Sequence, residues 1–429
     1  MIKNRFSQYI VGLVVVSNFF IFTHHYNNLA ATTAEQTAEL HTTTSHSSKV
    51  KKFLSNHKIA TAITVGALAI SGGLVVKAFT DTEERIPTTI KPGTTLPIVY
   101  TPENNIHAHK LLSTVLGFIA KPFLRLLHPF DGEKFEKAYN QLRKNLGLTA
   151  ENFVAPETCV TDEQLIAAGA HTPEYLQSLH DVATLKRIVE VPLDLIPFMS
   201  DEKLQTVLVK PQRCATSGTL RAAQIALDSN GPGWAVNLGG GFHHASKDHG
   251  EGFCIINDLG YTINVLQQER PNLRVLIVDL DAHRGNGHEL FFKDNPRVAA
   301  FDMYNGLAFP GDRDHSTQYI RYNFPLIGTT NDDTYLTTLR DNLPQALQEF
   351  KPGLILYNAG TDPLTGDPLG GMNVSAAGLV QRDAFVFDQA EQYKVPIAMV
   401  TSGGYTTKSA DVIAASLTNI IKRKGLGAT

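Results

Sequence analysis

The chain has 429 residues, 43% of them hydrophobic and 18% charged, which predicts one large α/β domain with appendages, or two domains. Its formal net charge of −3 gives no overall attraction to polyanions, so direct nucleic-acid binding is not expected. The three cysteines form no CxxC pair, which argues against a disulfide framework and against a thiolate zinc site.

Residues 1–95 are predicted to form a non-globular extension with two apolar segments and polar linkers. The first segment, 9–23, follows two basic residues and resembles a signal-peptide core or a short membrane anchor. The second, 59–76, has no charged residue and is about as long as the shortest spanning helix, so membrane association is expected through both. A buried glycine-rich helix is the alternative for the second segment.

The flanking charges leave the location of the protein open. Both apolar segments carry Lys or Arg on their N-terminal side, so the charge rule for membrane orientation gives conflicting answers. The chain is therefore expected to be membrane-anchored or exported, with a secreted bacterial protein acting in a host cell nucleus as the alternative. The side of the membrane that the large domain occupies stays undecided.

Residues 96–429 are predicted to form the globular domain, in which short apolar runs alternate with helical patterns. The runs typical of buried strands are 234–238, 275–278, 298–301, 354–357 and 397–400. The predicted helices are 217–228, 258–269, 335–350 with an interruption at Pro344, and 376–393. This alternation predicts an α/β fold in three layers, with a parallel β-sheet flanked by helices.

Each predicted strand is followed by a polar cluster. These clusters are GGGFHH (239–244), DLDAHRGNG (279–287), DMYN (302–305), NAGTDP (358–363) and TSGGY (401–405). In open α/β sheets, ligands bind at the carboxyl ends of the strands. The five clusters are therefore expected to converge on one crevice.

Three residues of these clusters form a candidate metal site. Asp281 and His283 are two positions apart, so in an extended segment they point the same way, and Asp362 arrives from another strand end. Two carboxylates and one imidazole match a catalytic zinc site with one position left open. Because the site lacks a thiolate, iron, cobalt and manganese remain alternatives.

His243, His244 and Tyr405 supply the remaining chemistry. The paired histidines follow three glycines that allow close backbone approach, and they could ligate metal. Since three ligands are already present, proton transfer is the favoured role. Tyr405 follows a Gly-Gly turn and could aim its hydroxyl at a developing oxyanion. A metal, a general base and an oxyanion donor together predict an amide hydrolase.

The sequence resembles the zinc-dependent histone deacetylases of the arginase–deacetylase superfamily, and most closely their class IV branch. The resemblance covers roughly residues 96–423. The motifs that carry it are GGGFHHAS (239–246), GFC (252–254), VDLDAHRGNGHE (278–289), DMYNGLAFPGD (302–312), YNAGTDPLTGDPLGG (357–371) and MVTSGGYT (399–406), with LPIVYTP (96–102) and LHPFDGEKF (127–135) at the start of the domain.

The resemblance implies the arginase–deacetylase fold and Zn2+ bound by Asp281, His283 and Asp362. His243 and His244 would be the paired histidines of the family, with His244 favoured as the general base and acid. The implied substrate is an acyl-lysine protein or peptide, with histone tails expected. Class IV enzymes resemble defatty-acylases, so acyl chains longer than acetyl are included.

Further roles follow from the same resemblance. Tyr405 would polarise the acyl carbonyl, and Gly252 would offer its carbonyl to the scissile amide N–H. Phe253 and Phe309 match the positions whose rings wall the acyl-lysine channel. Each of these roles is implied by the position of the residue in a motif of this sequence.

The resemblance also assigns residues that support the histidines. Asp279 would orient His243, and Asn286 would pair with His244. Many members of the family have an aspartate in place of Asn286, whereas class IV members share the asparagine. Asp279 and Asp302 fall where the family binds a structural monovalent cation.

One segment departs from the class IV pattern. His109–Leu127 is longer than the corresponding class IV segment and strongly apolar, with leucines and other apolar residues at helical spacing. A helix packed on the core is the favoured interpretation. A flap over the acyl channel, or an interfacial helix near the membrane anchor, is the alternative.

Other functions fit parts of the pattern. An acetylpolyamine amidohydrolase, or another hydrolase of small acylated amines, would use the same residues. A two-metal ureohydrolase is disfavoured because further aspartate ligands are missing near Asp281 and Asp362. A non-catalytic scaffold is disfavoured because His243, His244 and Tyr405 are all present.

Overall fold

The structure is a computed structural model that describes residues 84–91, 93–106, 131–190, 201–311 and 316–426. The predicted apolar segments 9–23 and 59–76, and the segment His109–Leu127, lie outside these residues. Each helix within the described ranges is too short or too polar to cross a bilayer.

Seven strands form one sheet, and all neighbouring strands are parallel. They are β1 (Ile98–Val99), β2 (Trp234–Asn237), β3 (Val275–Asp279), β4 (Val298–Asn305), β5 (Tyr322–Leu326), β6 (Leu354–Asn358) and β7 (Ile397–Val400). Their order across the sheet is β1-β2-β7-β6-β3-β4-β5. The predicted parallel sheet is confirmed, and the strands β1 and β5 at its two edges are additions that the apolar pattern did not reveal.

The helices lie between and around these strands. They are α1 (Lys134–Leu146), α2 (Asp162–Ala167), α3 (Pro173–Ser178), α4 (Val182–Val189), α5 (Asp201–Leu204), α6 (Lys210–Leu227), α7 (Asp258–Glu269), α8 (Asn286–Phe292), α9 (Asp332–Phe350), α10 (Ala376–Gln392) and α11 (Ser409–Arg423). A π-helical turn, Gln205–Val209, joins α5 to α6. Short 3-10 helices occur at Pro102–Asn104, Ala150–Asn152 and Ser316–Tyr319.

The interruption predicted at Pro344 is wrong, because α9 continues through it. Proline removes one backbone donor and strains the preceding turn, but it does so at one point of the helix only. The apolar stripe that includes Leu339, Leu343 and Leu347 is buried on both sides of the proline. Burial of this stripe stabilises the helical conformation on both sides of Pro344 and offsets the lost hydrogen bond.

Two apolar clusters lie on the two faces of the sheet and give the fold its three layers. Along β3, Leu276 and Val278 belong to one cluster, whereas Val275 and Ile277 belong to the other. This alternation is the two-residue period of a strand that is buried on both faces. The first cluster includes residues of α1, α9, α10 and α11, and the second includes residues of α6, α7 and α8.

The carboxyl ends of β2, β3, β6 and β7 are aligned in one row, whereas β4 continues past this row through the predicted polar cluster 302–305. Asp279 is in register with Asp302 on β4 and with Asn358 on β6. Asn358 is in register with Val400, and Val400 with Asn237. The polar segments that follow β2, β3, β6 and β7 therefore leave the sheet at the same level.

One sequence expectation about cysteines is wrong. Cys159 and Cys214 form a disulfide, although their spacing and odd number argued against a disulfide framework. Cys214 lies in α6, and Cys159 lies in the loop before α2, so the pairing depends on tertiary packing that no local pattern reveals. Cys254 is buried with a free thiol.

Candidate active site

Asp281, His283 and Asp362 form a buried group, called here the active-site cluster. Their ligand atoms all lie within 4.8 Å of one another. His283 Nδ1 is 3.0 Å from Asp281 Oδ1 and 3.0 Å from Asp362 Oδ2. The three residues predicted to bind one metal are therefore brought together at the end of β3 and the end of β6.

Backbone groups hold both carboxylates of the active-site cluster. Asp362 Oδ1 accepts the Ala282 N–H at 2.7 Å, and Asp281 Oδ2 accepts the Gly403 N–H at 3.0 Å. The other oxygen of each carboxylate lies 3.0 Å from His283 Nδ1, and Asp281 Oδ1 also accepts the backbone N–H of His283 at 3.0 Å. Gly403 permits this approach, because a Cβ at this position would clash with both carboxylates.

The side chains of the active-site cluster shift one another's pKa values. Burial and the neighbouring Asp281 raise the pKa of Asp362 to about 7. Burial alone would lower the pKa of His283, but its hydrogen bonds to Asp281 and Asp362 outweigh burial and raise this pKa well above its usual value. Two carboxylates held together away from water repel each other, and a divalent cation relieves that repulsion.

The paired histidines lie side by side, with ring centroids 4.1 Å apart, but they have different partners. His243 Nδ1 is 2.8 Å from Asp279 Oδ2, whereas His244 Nδ1 is 2.8 Å from Asn286 Oδ1. Burial lowers the pKa of His243, yet Asp279 and Asp281 outweigh burial and raise the pKa to about 9.

The pKa of His244 moves in the opposite direction. Burial, the neighbouring His243 and then His283 lower the pKa of His244 well below its usual value. The Asn286 amide oxygen opposes this shift only through a hydrogen bond, since it carries no charge. His244 is therefore the histidine that is neutral, and able to accept a proton, near pH 7.

Aromatic rings surround the active-site cluster. Tyr405 stands nearly perpendicular to His283, with centroids 6.0 Å apart, and Phe253 meets Tyr405 at 6.1 Å. Phe309 packs edge-on against His244 at 4.9 Å. Burial and then Asp362 raise the pKa of Tyr405 well above its usual value, so its hydroxyl keeps its proton.

Gly252 lies against His244, on the loop that also carries Phe253. A Cβ on Gly252 would lie 2.6 Å from His244 Cδ2 and 2.9 Å from Phe309 Cε1. The backbone at this position is also left-handed, with φ of 53°, a conformation that glycine adopts without strain. The structure thus brings Phe309 and Gly252, whose carbonyl is predicted to accept the substrate N–H, against His244, and Phe253 against Tyr405.

Two residues missed by the sequence interpretation hold the turn that carries Tyr405. Lys134, buried in the first turn of α1, donates to the carbonyls of Ser402 and Gly404. Asp367 Oδ2 accepts the Tyr405 N–H at 2.8 Å. Burial lowers the pKa of Lys134 to about 8, against the opposing effect of Asp362. Lys134 lies inside the motif LHPFDGEKF, and this position was the available signal for a role near the site.

Asp279, His288 and Asp302 form a second acidic cluster. Their ligand atoms also lie within 4.8 Å of one another, and all three residues are buried. Both ring nitrogens of His288 and Oδ1 of Asp302 have no hydrogen-bond partner among the described residues. Burial lowers the pKa of His288 to about 4, and burial together with Asp279 raises the pKa of Asp302 well above its usual value.

Comparisons with known proteins show which family the chain resembles. The family described as histone deacetylase domain matches residues 128–421. Histone deacetylase 2 of Arabidopsis thaliana is 39% identical over 300 residues, which cover 70% of this chain and 75% of that protein. Histone deacetylase 1 of Homo sapiens is 30% identical over 202 residues, which cover 46% of this chain and 40% of that protein.

A solved structure has a similar fold. The crystal structure of the HDA15 HD domain matches with a TM-score of 0.56 at 23% identity, covering 69% of this chain and 84% of that chain. Together with the family match, this fixes the parallel, helix-flanked sheet as the arginase–deacetylase fold. The chain belongs to the histone deacetylase family.

Proposed function

We propose that this protein is a zinc-dependent hydrolase that removes acetyl or longer fatty-acyl groups from the ε-amine of acyl-lysine in proteins. The observation that carries the proposal is the position of the active-site cluster beside His244 and Tyr405, at the carboxyl ends of the central strands. Family membership supports the amide-hydrolase class. The names of the Arabidopsis and human relatives support histone tails as the substrate.

The donor set of the active-site cluster fits zinc. Two carboxylates and one imidazole converge, are buried and are held by backbone hydrogen bonds, as a preorganised site for a divalent ion requires. When bound, zinc supplies Lewis-acid polarisation of the acyl carbonyl and lowers the pKa of water. Iron, cobalt and manganese are compatible with the same ligands, and elemental analysis decides between them.

His244 moves the proton in this reaction. Because its pKa is lowered, it is neutral at pH 7 and can take a proton from the attacking water. The water oxygen joins the acyl carbon, the C–N bond breaks, and His244 returns the proton to the leaving lysine amine. His243, whose pKa is raised by Asp279 and Asp281 despite burial, stays positively charged beside the developing negative charge.

Tyr405 and the loop of Gly252 orient the acyl group. The Tyr405 hydroxyl keeps its proton and donates a hydrogen bond to the oxyanion. Phe253 and Phe309 wall the acyl-lysine channel, and the Gly252 carbonyl accepts the scissile amide N–H. The ring contacts of Phe253 with Tyr405 and of Phe309 with His244 support these roles.

The proposal also includes membership of the class IV branch and activity on long acyl chains. The contact between Asn286 and His244 supports class IV, because the resemblance assigns this asparagine to that branch. Preference for long chains follows from the same branch. His109–Leu127 lies outside the described residues, so the helix packed on the core, with a flap over the acyl channel or an interfacial helix as the alternative, stays a prediction.

A structural monovalent cation is proposed at the second acidic cluster. The unpartnered Oδ1 of Asp302 beside Asp279 supports it, since an ionised carboxylate pair buried without a counter-charge is costly. His288 adds a nitrogen ligand to this pair in this chain. Such an ion stabilises the end of β3 and takes no part in proton transfer.

Membrane association through residues 9–23 and 59–76 remains a proposal that rests on their apolar sequence alone. The same holds for the location, membrane-anchored or exported, and for action of a secreted bacterial protein in a host nucleus. Fractionation of cells that express the full chain and the chain without residues 1–83 tests both. Equal partitioning of the two proteins into the soluble fraction would contradict the membrane proposal.

An acyl-length series tests the enzymatic proposal. Histone-tail peptides carrying acetyl through myristoyl groups on lysine are compared with acetylpolyamines, and metal content is measured on the same samples. We expect hydrolysis of acyl-lysine peptides that is lost with a chelator and restored by zinc. Turnover of acetylpolyamines alone would show that small acylated amines, and not acyl-lysine proteins, are the substrate class. No turnover of any acylated amine would contradict the proposal.

A further inference from the structure

The carboxylate of Glu251 contacts Asn286 and takes no part in the mechanism above. Asn286 Nδ2 donates to Glu251 Oε1, while Asn286 Oδ1 lies 2.8 Å from His244 Nδ1. Asn286 and His244 are buried, and Glu251 is half-buried. The three side chains therefore form a hydrogen-bonded path from a partly exposed carboxylate to a buried imidazole.

The chemistry of these groups fixes every proton on the path. A carboxylate oxygen accepts hydrogen bonds, so the amide turns its NH2 group to Glu251 and its oxygen to His244. An amide oxygen also only accepts, so Nδ1 of His244 must carry the proton. Nε2 of His244 is then left with the lone pair that a general base needs.

Asn286 cannot impose this arrangement alone. The two ends of an amide have nearly the same shape, and a rotation by half a turn would present the NH2 group to His244. Nδ1 would then act as the acceptor, the proton would sit on Nε2, and Nε2 would have no lone pair with which to take a proton from water. An aspartate at this position would have no such alternative, since both its oxygens accept.

A tight turn holds Glu251 in place. The Cys254 N–H donates to the Glu251 carbonyl at 2.8 Å, and the two residues between them, Gly252 and Phe253, have φ of 53° and 68°. Gln212 Nε2 fixes the turn further by donating to the Phe253 carbonyl at 2.7 Å. The turn that places Phe253 against Tyr405 thus also determines where the Glu251 side chain begins.

We infer that Glu251 is a positioning residue, which sets the amide orientation of Asn286 and, through it, the His244 tautomer that proton transfer requires. The catalytic consequence rests on the proposed function. The tautomer itself is a property of the protein without substrate, so the two ideas are tested by separate measurements.

The variant Glu251→Gln tests the inference while it keeps the size and shape of the side chain. A glutamine can accept from Asn286 or donate to it, so the pair no longer selects one orientation. Nitrogen-15 NMR of ring-labelled histidine in the full chain, assigned with His244→Ala, reports the tautomer. We expect one tautomer, with the proton on Nδ1, in the parent and a mixture in Glu251→Gln, with kcat lowered about two- to fivefold and KM unchanged.

The double variant Glu251→Gln/Asn286→Asp separates orientation from packing. Aspartate accepts from Nδ1 whatever residue 251 does, so we expect the double variant to regain the single tautomer of the parent. Glu269→Gln, an exposed glutamate at the end of α7, is the matched control and leaves both readouts unchanged.

The outcomes are distinct. A single Nδ1-protonated tautomer in Glu251→Gln, or a mixture that Asn286→Asp does not remove, would overturn the inference. If the expected tautomers are found but the parent hydrolyses no acyl-lysine, the inference about Glu251 is supported and the proposed function fails.

Discussion

Two buried clusters of the same composition lie at the end of β3, yet their histidines behave in opposite ways. In the active-site cluster, His283 Nδ1 is 3.0 Å from a carboxylate oxygen of each aspartate, and its pKa is raised well above the usual value. In the second acidic cluster, His288 is 3.7 Å from Asp279, and burial lowers its pKa to about 4. Direct contact therefore decides the charge of a buried histidine, and composition does not.

The surroundings of the two clusters differ as well. The active-site cluster lies beside the rings of His244 and Tyr405, which can accept and donate protons. Beside the second acidic cluster lie Arg284 and Glu289, whose charged atoms are 3.9 Å apart. Only the active-site cluster combines metal-binding groups with groups suited to move a proton, so the two clusters are expected to respond differently to substitution.

Asp362→Asn is expected to have the largest effect. It removes a carboxylate ligand from the active-site cluster, so zinc binding is lost and kcat/KM falls by about a thousandfold or more. Elemental analysis and hydrolysis of acyl-lysine peptides measure the two effects. Asp302→Asn in the second acidic cluster serves as the control and keeps the zinc. A full equivalent of zinc in an active Asp362→Asn variant would show that the wrong cluster has been assigned.

Tyr405→Phe is expected to lower kcat by about 10²–10³ while zinc content stays at the parent level. The substitution removes the hydroxyl that donates to the oxyanion but keeps the ring that packs against His283 and Phe253. Steady-state kinetics with a fluorogenic acyl-lysine substrate provide the measurement. Equal turnover in the two proteins would end the mechanism proposed for the active-site cluster.

Asp302→Asn is expected to act on stability. If a monovalent cation binds the second acidic cluster, potassium raises the unfolding temperature of the parent by about 2–6 °C, and the variant loses this response. Thermal unfolding in potassium chloride and in tetramethylammonium chloride gives the comparison. An identical response in parent and variant would leave the second acidic cluster without a bound ion.

Asn286→Asp is expected to have the smallest effect, seen in the pH profile. A carboxylate beside His244 favours the protonated form of the imidazole, so the pKa of His244 rises. Since the base must be unprotonated, the acidic limb of the kcat/KM profile moves to higher pH. The parent profile, measured at the same zinc occupancy, is the reference. An unmoved acidic limb would refute control of His244 through residue 286.

The parts of the fold that were predictable are those with a local pattern. The five central strands are continuous apolar runs because both faces of the sheet are covered, and helix α7 begins and ends at the predicted residues. β5 escaped prediction because its residues are half-buried or exposed and include Pro325, as an edge strand tolerates. β1 has only two residues, too few for any period.

In the candidate site, too, the predictable residues are those that a local pattern reveals. Asp281, His283 and Asp362 could be grouped because parallel strands end at one edge, so position along the chain was enough. Lys134 lies inside a matched motif, but its partner lies 268 positions away, and the partner of Glu251 lies 35 positions away, so no spacing revealed the contact that either residue makes. The disulfide between Cys159 and Cys214 was missed for the same reason, because it depends on how α6 packs.

The position of β7 between β2 and β6 has a consequence for synthesis of the protein. Gly239 donates to the hydroxyl of Thr401, 162 positions later, so the histidine loop has its neighbour only when β7 is in place. A nascent chain therefore cannot complete the arrangement of His243, His244 and Tyr405 before residue 405 has been added. A premature stop before β7 yields a product that contains His243 and His244 but lacks Thr401 and Tyr405.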